Sequence, residues 1–202
     1  DVYLVNFTSS RSEDNQKNLE RLKEQSKCKI EEIDENSNLP GFDLQDIVID
    51  SIFGVGLNRP MPDFVQNLIK SVNENSPKTF AVDVPSGMYM DQTPGEGEQV
   101  FKSDFIFTFQ TPKFSFYLPD YSRFVGEIKI IDIGLSQDWL EQISTEIVFV
   151  DLNYSKGLLK RRSRFSHKGT YGHAVIVGGS HLMLGSVLLS ASSCMRSGVG
   201  KT

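Results

Sequence analysis

Cysteine is scarce in this chain. Only Cys28 and Cys194 occur among 202 residues, far apart and in unrelated contexts. That excludes a disulfide framework and a thiolate zinc site, and it fits a reducing, cytoplasmic compartment. Long apolar runs are missing too. None approaches the roughly 18 residues that span a bilayer, so no membrane association is expected. The opening residues also lack the basic-then-apolar pattern of a signal peptide. Histidine is rare: His167 and His173 flank a glycine-containing turn without a third ligand, and His181 stands alone. A histidine metal site is therefore not supported. Basic residues interleaved with aromatics are absent as well. The cluster Lys160-Arg161-Arg162-Arg164 reads as a solvated linker, and no nucleic-acid partner is expected. There are no internal repeats and no low-complexity runs.

What is present is an uneven charge. The net charge is −5, yet from Asp151 onward eight Lys or Arg stand against Asp151 alone. A step of this kind marks a change of domain. The length suits one ordinary domain and part of another. The chain opens on a strand-like run and stops at Gly198-Val199-Gly200-Lys201-Thr202, so a fragment of a longer protein is expected. That last stretch is not a phosphate-binding P-loop, because the pattern needs a glycine where Met195 stands.

Periodicity predicts strands at Val2–Val5, Ile47–Ile49, Phe80–Val82, Phe105–Phe109, Ile128–Ile131 and Ala174–Val177. It predicts helices over Ser12–Gln25 and Asp63–Asn73, and a third from about Gly185. The early strand–helix alternation calls for an α/β domain with a mostly parallel sheet. The expected division is a first domain over 1–140, a linker over 141–165 and the start of a second domain over 166–202.

Two blocks carry the chemistry. Asp50 and Asp83 each end a short apolar run, and each is followed by a loop containing glycine. In a parallel sheet such ends open onto one crevice, where ligands bind. Asp50 reads either as a cap and hydrogen-bond acceptor or as an oxygen ligand for a hard cation. After it, Gly54, Val55, Gly56, Leu57, Asn58, Arg59 and Pro60 form a loop whose amides could cradle phosphate, with Arg59 adding a forked contact. An ordinary tight turn is the alternative. Asp63 is expected to cap the following helix. Asp83 precedes Val84-Pro85-Ser86-Gly87, where proline bends the chain. It is the catalytic candidate, a carboxylate able to move a substrate proton. Ser86 has no nearby histidine and reads as an oxygen ligand or hydrogen-bond donor rather than a nucleophile. Lys113 either faces the same crevice to neutralise phosphate or is a solvated surface lysine. Asp104 and Asp132 read as caps or turn acids.

The stretches Val48-Ile49-Asp50-Ser51-Ile52-Phe53-Gly54-Val55-Gly56-Leu57-Asn58-Arg59-Pro60 and Ala81-Val82-Asp83-Val84-Pro85-Ser86-Gly87 closely resemble the NAD(P)H-hydrate epimerase domain. Thr111-Pro112-Lys113 and Gly126 to Gly134 continue the likeness. Ser166-His167-Lys168-Gly169-Thr170-Tyr171-Gly172-His173, with Val177-Gly178-Gly179-Ser180, resembles the opening of the ADP-dependent NAD(P)H-hydrate dehydratase domain. The resemblance implies a Rossmann-like three-layer domain followed by the beginning of a ribokinase-like α/β domain. It implies potassium held by Asp50 and Ser86, and the hydrated dinucleotide NADHX or NADPHX bound by Gly54 to Pro60 and Asp83. Ser186 falls where the dehydratase family touches substrate. That domain, when complete, would use ADP or ATP with Mg2+. The family's dimers imply a homo-oligomer. The family's Asn- and Gly-rich loop would lie before residue 1, so this piece alone is expected to be impaired. Competing readings are a non-catalytic scaffold on the same fold and, from the last residues only, a small-molecule kinase. The set Asp50, Asp83 and Ser86 argues for a working site, since a scaffold has no need of it.

Overall fold

A computed structural model describes residues 1–8, 11–25, 27–75, 77–159 and 161–202. The chain forms two units, Asp1–Ile143 and Ser144–Thr202.

The first unit is α/β and its strand pairings are all parallel. Strand β1 (Val2–Val5) pairs with β2 (Ile30–Ile33), and helix α1 (Glu13–Gln25) links them. Strands β3 (Ile47–Asp50), β4 (Lys78–Val82), β5 (Ser103–Phe109) and β6 (Val125–Ile131) form a second sheet in that order. Helix α2 (Asp63–Asn75) crosses from β3 to β4. Its apolar stripe, Val65, Leu68, Ile69 and Val72, is buried, as the spacing predicts. Asp63 sits in the first helical turn rather than capping it, and Pro62 O accepts from Val65 N and Gln66 N instead. The acid still favours the positive end of the helix dipole.

One face of the second sheet builds the core. Ala81 and Ile106 are register partners with no exposure, and they pack with Val84, Met88, Val100 and Tyr121. A neighbouring cluster joins Val65, Ile69, Leu57, Tyr89 and Phe101, with Val48 of β3 and Val5 of β1 against it. The crossover from β5 to β6 holds no α-helix. Two short 3-10 turns, Phe114–Tyr117 and Pro119–Tyr121, fill it and bury Phe116 and Tyr121.

The described residues of the second unit form helices and no sheet. Helix α3 (Gln137–Gln142) closes the first unit, and α4 (Leu152–Leu158) and α5 (Gly185–Ser197) belong to the second. Part of the stretch expected to be linker is thus helical, with Ser136 and Asp151 accepting from Trp139 N and Tyr154 N as N-caps. The expected strand at Ala174–Val177 is not formed. Only an isolated bridge joins His173 to Lys201, and Val175 and Val177 are exposed. A strand needs a partner ladder, and no described residue supplies one there.

Candidate functional site

The tips of β3 and β4 lie side by side because Asp50 and Ala81 are register partners. Beyond Ala81 the chain turns at Pro85-Ser86-Gly87. Met88 N donates to Pro85 O at 3.1 Å, and Gly87 takes φ 91, where an added Cβ would meet Gln99 O at 2.2 Å. Only glycine fits that position.

The turn brings Ser86 back onto Asp50. Ser86 N donates to Asp50 Oδ2 at 2.7 Å, and Ser86 Oγ donates to Asp50 Oδ1, also at 2.7 Å. Ile52 N adds a bond to Oδ1 at 3.2 Å, and Phe53 N donates to Ser86 Oγ at 2.9 Å. Both residues are buried. Burial pushes the Asp50 carboxyl above the usual carboxylate range, and the Ser86 and Ile52 hydrogen bonds only partly offset it. No cationic side chain pairs with Asp50 among the described residues. Asp50 also borders a groove of about 640 Å³ lined by Val2, Tyr3 and Val5 of β1 and by Ile49 and Ser51.

Asp83 occupies the next tip and is differently held. Its backbone has φ 65, outside the range most side chains adopt. Oδ1 accepts from Phe109 N at 3.0 Å and Thr108 Oγ1 at 3.3 Å, and it pairs with Lys113 Nζ at 2.9 Å. Oδ2 has no hydrogen bond among the described residues. It faces Gly54, where an added Cβ would lie 4.0 Å away.

Two of the three expected site side chains are brought together, whereas Asp83 bonds to neither of them and does not line the groove that Asp50 borders. Asp50 and Ser86 touch directly, and the loop leaving Asp50 carries Gly54 to Asp83 Oδ2. Within that loop Gly54 and Gly56 do not have positive φ, so the alternating backbone of an anion-cradling nest is not formed. An added Cβ at Gly56 meets nothing within 4 Å. Neither glycine is needed for backbone freedom or internal packing, and Gly54 leaves space over Asp83 Oδ2. Leu57 points into the core, so it anchors the loop rather than facing a ligand. Val55, Asn58, Arg59 and Pro60 are exposed.

Lys113 sits beside Asp83, as the crevice reading expects, and the solvated reading is corrected. The residue is 15% exposed, so it is not a solvated lysine. It also donates to Phe109 O at 3.0 Å and Thr111 O at 3.1 Å, which leaves no proton for phosphate. Thr108 and Phe109 also fix Asp83, although their place in an apolar strand run carries no signal of it. Asp132 accepts from Gly134 N as a turn acid does, whereas Asp104 lies within β5 and accepts from Thr79 N and Thr79 Oγ1 of β4, a cross-strand contact rather than a cap or turn. In the second unit, Ser186 is exposed on α5, and its carbonyl accepts from Ser190 Oγ. His167 caps a short turn through Nδ1, which accepts from Gly169 N. No cluster of three or more His, Cys, Asp or Glu residues is found among the described residues.

A family model described as YjeF-related protein N-terminus matches residues 1–115. The chain belongs to this family. Among curated relatives, the bifunctional NAD(P)H-hydrate repair enzyme Nnr of Coxiella burnetii is 30% identical over 155 residues, 77% of this chain and 32% of the relative. The enzyme of the same name from Escherichia coli K12 is 29% identical over 166 residues, 81% of this chain and 32% of the relative. The bifunctional NAD(P)H-hydrate repair enzyme of Leishmania major is 29% identical over 180 residues, 83% of this chain and 31% of the relative. The chain spans about a third of the length of these relatives. No helix among the described residues is long and apolar enough to cross a membrane.

Proposed function

We propose that the first unit is an epimerase of nicotinamide-nucleotide repair. It interconverts the R and S forms of hydrated NADH and NADPH, and it works beside an ADP- or ATP-dependent dehydration of the S form. The observation that carries this reading is the carboxylate of Asp83, with one oxygen tied by three donors and the other open toward Gly54. The names of the relatives support the substrate class.

The epimeric carbon of the hydrate bears a hydroxyl and the ring nitrogen. Inversion requires one of these polar bonds to break and re-form on the other face. Asp83 Oδ2 takes the hydroxyl proton and delivers it to the ring nitrogen as the carbon–nitrogen bond opens to an aldehyde and an N–H. The aldehyde rotates to its other face, and on closure the nitrogen lone pair re-forms the bond while Asp83 carries the N–H proton back to the oxygen, so no proton is gained or lost. General acid–base help of this kind contributes about 10² to 10⁴ in rate. Arg59, exposed on the loop, is the fork available to a phosphate oxygen.

Asp50 and Ser86 suit a potassium ion. The carboxylate is buried without a positive partner, and Ser86 Oγ, which accepts one bond and donates another, keeps a free lone pair. Bound potassium would supply the positive charge that this oxygen set lacks. The dehydration step, with Ser186 near its substrate and Mg2+ with the nucleotide, belongs to the chain from Ser166 onward and rests on that segment's resemblance. Cytoplasmic residence and homo-oligomer formation are part of the same reading.

The full chain is tested with a mixture of R and S hydrates separated by chromatography, with and without potassium and ADP. An epimerase re-equilibrates the epimers without ADP, and faster with potassium. A scaffold leaves both unchanged.

A further inference from the structure

Adjacent strands β4 and β5 end in the same uncommon turn. Val84 N donates to Val82 O at 2.9 Å across Asp83, and Thr111 N donates to Phe109 O at 2.7 Å across Gln110. The central residues have φ 65 and 61. Three-residue turns with positive φ are rare and strained, and they persist only where the surroundings hold them. Gln110 is not a residue type that favours this region. Some other group must hold it.

One side chain reaches both turns. Lys113 Nζ donates to Phe109 O and Thr111 O, the carbonyls on either side of Gln110, and it pairs with Asp83 Oδ1. Its three protons have three acceptors. Phe109 also donates its N–H to the same Oδ1. The ammonium, the β5 turn and the Asp83 carboxylate therefore form one closed set. The set saturates Oδ1 and leaves Oδ2 without a hydrogen bond among the described residues. A planar guanidinium cannot point three protons from a single atom, so this position calls for lysine and not for arginine.

We propose that Lys113 is a positioning residue: it anchors Asp83 Oδ1 to the strained end of β5, so that Oδ2 alone is presented to the substrate. This rests on the epimerase reading above. Lys113 has no contact with substrate in this account, and its effect passes through Asp83.

The test compares full-length Lys113→Met and Lys113→Ala with wild type. Turnover should fall about 100-fold, as a misplaced catalytic group does, with KM changed by less than about threefold. Propylammonium in the buffer should restore at least about tenfold to the Ala variant and nothing to the Met variant, whose side chain fills the space. Independently of turnover, the Phe109 amide resonance should move in both variants and return with propylammonium in the Ala variant only. A raised KM with unchanged kcat would overturn the proposal, because it would mean that Lys113 binds substrate. An unmoved Phe109 amide would overturn it as well. If wild type exchanges no epimers, the epimerase reading fails, and the Phe109 resonance still decides whether Lys113 holds Asp83.

Discussion

The tips of β3 and β4 each present an aspartate, and the two are held in opposite ways. Asp50 is sunk, with both oxygens engaged by Ser86 and its own loop. Asp83 is partly open, backbone-strained, and engaged through one oxygen. A buried carboxylate with every oxygen taken is suited to hold geometry or a counter-ion. A carboxylate with one oxygen fixed and one free is suited to move a proton. The same residue type is held in two ways because the following loops differ: Ile52 N bonds Asp50 and Phe53 N bonds its partner Ser86, whereas Val84 N turns back to Val82 O across Asp83, whose carboxylate is tied to the end of β5.

The largest test of that contrast removes the sunken acid. Asp50→Ala leaves the buried Ser86 N–H without an acceptor and should cost about 2–3 kcal/mol in denaturant unfolding. Potassium should raise the melting temperature of wild type and not of this variant. The sign with pH follows from burial. A carboxyl raised above its unfolded value lends stability below the ordinary carboxylate range and loses it as pH rises through the folded value. Wild type in potassium-free buffer should therefore weaken as pH rises above that range, and potassium should offset the loss at neutral pH.

A smaller effect is expected over Asp83. Gly54→Ala clashes with nothing in the protein, so its melting temperature should be unchanged. Its methyl group stands in the space before Oδ2, and kcat/KM should drop about tenfold, or about 1.4 kcal/mol. If activity is untouched, the substrate does not enter between Gly54 and Asp83.

The smallest effect lies away from both tips. Tyr89 donates to Glu98 Oε1, and burial pushes its hydroxyl up to about 12. Its neutral form is favoured by folding, so this contribution is present below pH 10 and lost as pH rises through about 12. Tyr89→Phe should flatten that part of the alkaline unfolding curve and leave epimer exchange at neutral pH unaltered.

Much of this was legible in the sequence. Apolar runs ending in Asp50 and Asp83 marked strand tips, and Pro85-Ser86-Gly87 marked the turn that returns Ser86. Strand β2 was missed because Lys29-Ile30-Glu31-Glu32-Ile33 spaces its isoleucines off the two-residue period. Helices α3 and α4 had readable caps at Ser136 and Asp151, but their short lengths carry little periodicity. The engagement of Lys113 could not be read at all. It depends on positive φ at Gln110, which no residue pattern announces. Ala174–Val177 has a strand's composition, yet composition does not supply a partner. No described residue of Ser144–Thr202 is buried, whereas the first unit holds all of the core.

The most direct test follows one purified epimer of the hydrate, incubated with wild type or with Asp83→Asn and resolved by chromatography over time. The account predicts that wild type restores the mixture, and that Asp83→Asn, folded but with a lowered melting temperature because Lys113 loses its counter-charge, does so at least about 100-fold more slowly. Equal rates for the two proteins would contradict it.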